Sequence, residues 1–236
     1  MLDVIFEDNH ILVVVKPQNI PSQEDESMDE NMVSLVKKYL KEKYNKPGNV
    51  YVGLVHRLDR PTGGIMVFAK TGKASARLTE QLQSGEMKKT YLTVVNGAPK
   101  EDEKELINYL KKNMRENIVS VVPELTTGAK KAVLNYQFLD KNDKVSLVAV
   151  RLKTGRSHQI RVQMKHIGNP VFGDARYGGD ILSKGHNLAL WAYKLEFNHP
   201  VSKDKLSFTV FPPEDKIPWK VFENIEAKAS KIKFDI

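Results

Sequence analysis

Val55-His56-Arg57-Leu58-Asp59-Arg60-Pro61-Thr62-Gly63-Gly64 is the stretch on which the reading of this chain turns. Asp59 is the single acidic residue between Lys43 and Thr79, and Arg57 and Arg60 flank it within two positions. Positive neighbours favour an ionised carboxylate. A carboxylate kept charged suits work as a nucleophile or base better than as a proton donor. Pro61 presets φ and the glycines admit bends closed to other residues, so a tight turn follows Asp59. An arbitrary Arg-x-Asp-Arg reads as a surface ion pair at a strand end, but the ten-residue string is far more specific.

Outward from this loop, residues 50–55 are predicted to be a strand feeding it and residues 65–69 a strand leaving it, so Asp59 is expected on a connection between two buried strands. Residues 2–7 and 11–15 read as a hairpin across Asp8-Asn9-His10, closed by Lys16-Pro17. A polar, acidic loop follows to Glu30. Val33, Val36, Leu40 and Tyr44 recur at helical spacing, which predicts a helix over 31–45. Thr71 is placed to cap a helix running to about Gln83. Strands are expected over 89–95, 118–122, 131–139, 145–152, 188–197 and 206–211, while 105–112 fits helix or strand equally. Ser157 is placed to cap a helix with Ile160, Met164 and Ile167 inward and Arg161 and Lys165 outward. A glycine-rich loop through Gly173-Asp174 to Gly178-Gly179 and a short helix over 219–222 complete the pattern. This is an α+β design with a mixed, largely antiparallel sheet and few helices.

The 236 residues contain no cysteine, which excludes disulfides, a thiol nucleophile and thiolate zinc sites. No signal-peptide pattern and no membrane-length apolar run occur, so a cytoplasmic protein without a membrane partner is expected. The formal charge is +8 and the pI about 9.4. Between Asp143 and Asp174 there is no acid, while Lys144, Arg151, Lys153, Arg156, Arg161 and Lys165 fall there. With the segment around Asp59, this makes two stretches nearly free of negative charge, as a phosphate-binding surface requires.

The second cluster is Leu152-Lys153-Thr154-Gly155-Arg156-Ser157-His158-Gln159-Ile160-Arg161. Arg156, presented at a helix entrance, has the chemistry to pair with Asp59 or to clamp a phosphate. His158 and Arg161 lie three apart, hence on one helical face. Without a carboxylate nearby, the cluster is a poor metal site. Tyr91 on a strand reads as core, or in a nucleic-acid site as a ring that stacks on an extruded base. Asp174 invites a two-carboxylate glycosidase reading, yet its glycines and adjacent Arg176 fit a structural loop better. Walker A, dinucleotide and nucleophile-elbow motifs are all absent.

His56 to Gly64, Lys89 to Tyr91, Gly155 to Arg161, and Gly173-Asp174 with Tyr177-Gly178 resemble, in order, the successive motifs of RluA-type RNA pseudouridine synthases. Glu7-Asp8-Asn9-His10 followed by Val14-Val15-Lys16-Pro17 is similar to that family's first motif. The resemblance implies an α+β pseudouridine synthase fold, two lobes with a cleft between them, and isomerisation of uridine in ribosomal or transfer RNA without cofactor or metal. Asp59 matches the catalytic aspartate, Arg57 the arginine that displaces the target base, Tyr91 the tyrosine that contacts the base and Arg156 the aspartate's partner. His56, Arg60, His158 and Arg161, with Arg57, are expected to contact RNA. One catalytic domain over 1–236, without the S4-type RNA-binding domain of some relatives, and a monomer are further expectations. Gly63 stands where many members carry serine. The competing readings are an RNA-binding protein without catalysis and a hydrolase using Asp59 and Asp174.

Overall fold

Runs of Ile, Leu and Val in the first ninety residues pair edge to edge. The computed structural model describes residues 2–178 and 184–234, so Gly179, expected in the glycine-rich loop, lies outside the described residues. The chain divides into two compact units, one from Met1–Lys89 and Ala192–Val210, the other from Thr90–Trp191 and Phe211–Ile236.

In the first unit, β1 (Asp3–Glu7) pairs antiparallel with β2 (Ile11–Lys16). Asp8 closes their turn by accepting the backbone N–H groups of His10 and Ile11, each at 2.7 Å. Strand β2 in turn pairs with β4 (Gly63–Ala69), Lys16 opposite Gly64 and Ile11 opposite Ala69. Helix α1 (Met32–Lys43) begins at a reciprocal cap between Asn31 and Ser34, which satisfies two otherwise orphaned donors. Helix α2 (Gly72–Ser84) is capped by Thr71, as its sequence predicts, and turns Ala74 and Leu78 into a core with Ile11, Val13, Ile65 and Val67. The strand expected over 50–55 is only β3 (Gly53–Leu54). Its continuation leaves the ladder because the backbone of Leu58 bonds to Ser22 instead.

The second unit is a run of antiparallel ladders. Strand β5 (Lys88–Asn96) pairs with β9 (Val145–Leu152), β9 with β8 (Lys130–Lys141), β8 with β6 (Glu103–Asn113), and β6 with β7 (Ile118–Val122). The segment that periodicity left open between helix and strand is therefore strand β6. Helix α3 (Gln159–His166) packs Val162 into a cluster with Leu110, Val119, Ala132 and Tyr177. Ser157 does not cap it. His158 occupies the N-cap position with φ 53°, and the Gln159 side chain closes the turn by accepting from the Thr154 hydroxyl and the Arg156 backbone N–H.

Later in the chain, β10 (Leu190–Asn198) pairs with β11 (Lys205–Thr209). The expected terminal helix is a 3-10 turn, Trp219–Val221, followed by α4 (Ile225–Ala229), which Asn224 caps.

Candidate active site

Four consecutive carbonyls fix the loop that carries Asp59. The Ser22 hydroxyl donates to Leu58 O at 2.7 Å and accepts the Leu58 N–H at 3.0 Å. Asp59 O accepts from Thr62 N at 2.9 Å, closing the turn. Arg60 O accepts from the Lys16 ammonium at 3.0 Å and from Asn19 N at 2.8 Å, and Pro61 O from the Gln18 amide at 3.0 Å. At the exit Gly64 has φ +119°, and a Cβ there would lie 2.3 Å from Ala192 O. Only glycine lets β4 approach the β10 backbone so closely. A half-buried carboxylate on a loop so thoroughly bonded keeps one position, which is what a reacting group needs.

Lys16 is the residue that sequence reasoning missed. It reads as the end of a strand, yet it is fully buried, its ammonium shared among the carbonyls of Pro17, Ile20 and Arg60. Burial pushes its pKa down to about 7, while the Asp59 carboxylate pulls it up and Arg60 pushes it down. Asp59 thus has an interior cation in its field besides the flanking arginines. The Lys-Pro pair at a strand end, just before a polar loop, is the signal that was available.

The flanking residues divide. Arg57 is exposed and makes no hydrogen bond or ion pair among the described residues. Arg60 is exposed but engaged, with Asp25, Asp29 and the Ser27 hydroxyl around its guanidinium and Asn19 O on its Nε. His56 lies in the interior. Its Nε2 accepts the Val67 N–H at 3.1 Å, so the ring proton sits on Nδ1, which has no partner among the described residues. Burial first, and then the charge of Lys89, hold its pKa down at about 3, so the ring stays neutral.

The remaining candidates belong to the second unit. Tyr91 is buried in β5, opposite Val150 of β9. Arg156 is exposed, its Nε donating to Lys131 O at 2.9 Å. His158 Nδ1 lies 2.7 Å from the Tyr177 hydroxyl, which also accepts the Val119 N–H at 2.9 Å.

Arg161 corrects the helical projection, which turned it outward. It is buried, Nε and Nη2 each 2.7 Å from the two oxygens of Asp174, with its guanidinium over the Tyr177 ring. Helix α3 buries every residue from Gln159 to Met164, so it has almost no solvent face to receive an arginine. Asp174 also accepts the N–H groups of Arg176 and Tyr177, which is the structural loop its glycines suggested.

Residues 10–166 match the family model described as RNA pseudouridylate synthase. The chain belongs to that family. It is an RNA pseudouridine synthase, an isomerase, and RNA is its substrate. Over 91% of its length it is 34% identical to an uncharacterized RNA pseudouridine synthase of Bacillus subtilis, YjbO, of which it covers 74%. It is 33% identical to ribosomal large subunit pseudouridine synthase D of Xanthomonas campestris, over 91% of this chain and 67% of that one. Among solved structures, human RNA pseudouridylate synthase domain containing 4 matches with a TM-score of 0.76 at 20% identity, over 90% of this chain and 89% of that chain. Its counterpart domain containing 1 gives 0.72 at 20% identity, over 100% and 97%. These two likenesses establish the α+β synthase fold. Among the described residues, no helix of this synthase is long and apolar enough to cross a membrane.

Proposed function

We propose that this synthase converts a uridine of ribosomal or transfer RNA to pseudouridine, with Asp59 as the carboxylate that acts on the ribose of a nucleotide turned out of its strand. The observation that carries the reading is the Asp59 loop itself. Its four successive carbonyls are bonded, its carboxylate is half-buried, and a buried lysine lies in the carboxylate's field. Isomerisation breaks the bond from C1′ to N1, turns the uracil and joins C1′ to C5, with the C5 proton released and N1 taking up a proton. A charged carboxylate beside the sugar serves either as nucleophile at the ribose or as base. Arg57, exposed and without a partner among the described residues, supplies a side chain able to enter the strand as the base leaves it. Tyr91 as the contact to the base and Arg156 as partner of Asp59 rest on the motif resemblance. The Xanthomonas relative and a Zymomonas mobilis relative are both named ribosomal large subunit pseudouridine synthase D, which favours large-subunit ribosomal RNA over transfer RNA.

The test is tritium release from C5-labelled uridine, run on large-subunit ribosomal RNA and on transfer RNA in parallel. Release is expected from one of them, and Asp59→Asn should abolish it while Arg156→Ala lowers it with an unchanged melting temperature. Turnover surviving in Asp59→Asn would end the assignment.

A further inference from the structure

Lys16, Lys70 and Arg161 are cations withdrawn from solvent, and each is met. Lys16 has three carbonyls, Lys70 has the Glu7 carboxylate at 2.7 Å, and Arg161 has Asp174. Lys89, at the start of β5, is different. Its side chain is half-buried, and among the described residues nothing accepts a hydrogen bond from its ammonium and no carboxylate pairs with it. Burial alone pushes its pKa down, with no anion acting in the opposite direction. Its charge is felt by His56, whose Nδ1–H is a second donor without an acceptor. A fully buried donor such as the His56 N–H is costly to leave unmade. Among the described residues the buried imidazole N–H and the half-buried ammonium lack the same thing, an acceptor oxygen, preferably one bearing negative charge.

Their placement says where that oxygen comes from. His56 lies three residues before Asp59 on the bonded loop, and Lys89 lies two residues before Tyr91 on β5, hence on the same side of that strand. Both lead directly into residues given to the target uridine.

We propose that Lys89 is a further substrate-binding residue, and that its ammonium, together with the His56 Nδ1–H, takes an anionic oxygen of the target nucleotide. The inference rests on the reading of Asp59 given above. Two sources of the oxygen share this chemistry, a carbonyl of the detached uracil as it gains charge and a backbone phosphate of the same nucleotide. No bond is made or broken at Lys89. It holds charge that develops or arrives, as a preorganised donor does.

The experiment compares wild type, Lys89→Met and Lys89→Arg on C5-tritiated RNA, with single-turnover rate, RNA affinity and thermal stability measured for each. Lys89→Met should lose about 100-fold or more in rate or in affinity, the scale of one missing oxyanion donor. It should melt no lower than wild type, because Lys89 has no hydrogen bond or ion pair among the described residues to lose. Lys89→Arg, which keeps the charge, should recover part of the loss. A fall confined to rate identifies the uracil oxygen. A fall in affinity with a shallower salt dependence identifies the phosphate. Wild-type rate and affinity in Lys89→Met overturn the proposal, as does a loss that parallels a drop in melting temperature, the mark of a packing role. If Lys89→Met is unimpaired while Asp59→Asn is dead, only the lysine assignment fails. If Asp59→Asn also turns over, the reading of the loop fails with it.

Discussion

Replacing Asp174 by Asn isolates the ion pair that holds α3 to the loop following it. The Arg161 and Asp174 side chains are 6% and 0% exposed, so neither charge has water to fall back on. The carboxylate receives four donors, two from the guanidinium at 2.7 Å and the N–H groups of Arg176 and Tyr177 at 3.0 Å. Asn keeps the shape and one acceptor oxygen, which can still serve the two backbone groups. Its NH2 then faces the guanidinium, donor against donor, with Arg161 still charged and buried. Removing one partner of a buried pair costs about 3–5 kcal/mol. For a chain of this length, each kcal/mol moves the melting temperature by about 2–4 °C, so a fall of roughly 6–20 °C is expected.

Thermal and urea unfolding, followed by far- and near-ultraviolet circular dichroism, measure this fall. Asp174→Asn combined with Arg161→Met should recover part of it, since the uncompensated charge is then gone. The carboxyl is also linked to pH. Burial pushes its pKa up, but Arg161 and the N–H groups of Tyr177 and Arg176 pull it further down, below the ordinary 3.8. Its contribution is therefore complete above pH 3.8 and is lost as pH falls through the lower folded value. That acid limb should be missing in Asp174→Asn. A destabilisation under about 1 kcal/mol, the worth of a solvated surface pair, would refute the reasoning.

Three further substitutions test other parts of the frame. Glu7 gathers Lys43, Lys70 and the hydroxyls of Tyr39 and Tyr44, which overcome the effect of burial and hold its pKa at about 2 against an ordinary 4.5. Glu7→Gln should cost about 2–3 kcal/mol and remove the stability that wild type loses between pH 4.5 and 2, checked by urea titration across that range. Gly64→Ala would force a Cβ to 2.3 Å from Ala192 O at φ +119°, so loss of folded protein, or about 3 kcal/mol and more, is expected on expression and melting. Gly72→Ala, at a helix start with nothing within 4 Å of the new methyl, should be neutral or slightly stabilising.

Two strands, β7 and β9, were legible to the residue, and both begin at turn chemistry. Strand β9 starts where Asn142 turns its carbonyl onto the N–H groups of Lys144 and Val145, each at 3.1 Å. That local bond is written in Lys141-Asn142-Asp143 and needs no distant partner. Strand β7 begins just after Asn117, whose φ of 53° breaks the chain direction. Strand β3 was not legible in the same way. The apolar run from Val50 to Val55 continues past Leu54, but the loop's bonds to Ser22, over thirty residues earlier, pull the backbone out of the ladder.

The site was legible where chemistry is local and illegible where charge meets charge across sequence. Asp59 and its turn could be found because Pro, Thr and Gly adjoin it and no other acid does. Helical spacing assigned Arg161 to solvent on the premise that one face of a helix meets water. Helix α3 breaks that premise, since protein covers it on nearly all sides and its glutamines and arginine are buried with partners. Only knowledge that Asp174 returns beneath the helix, thirteen positions later, makes a buried arginine tolerable. The same holds for Lys16, whose burial depends on the Arg60 carbonyl forty-four residues away. A sequence records which residues carry charge but not which of those charges the fold will neutralise, so an unmatched, half-buried one such as Lys89 becomes visible only after the matched ones have been counted off.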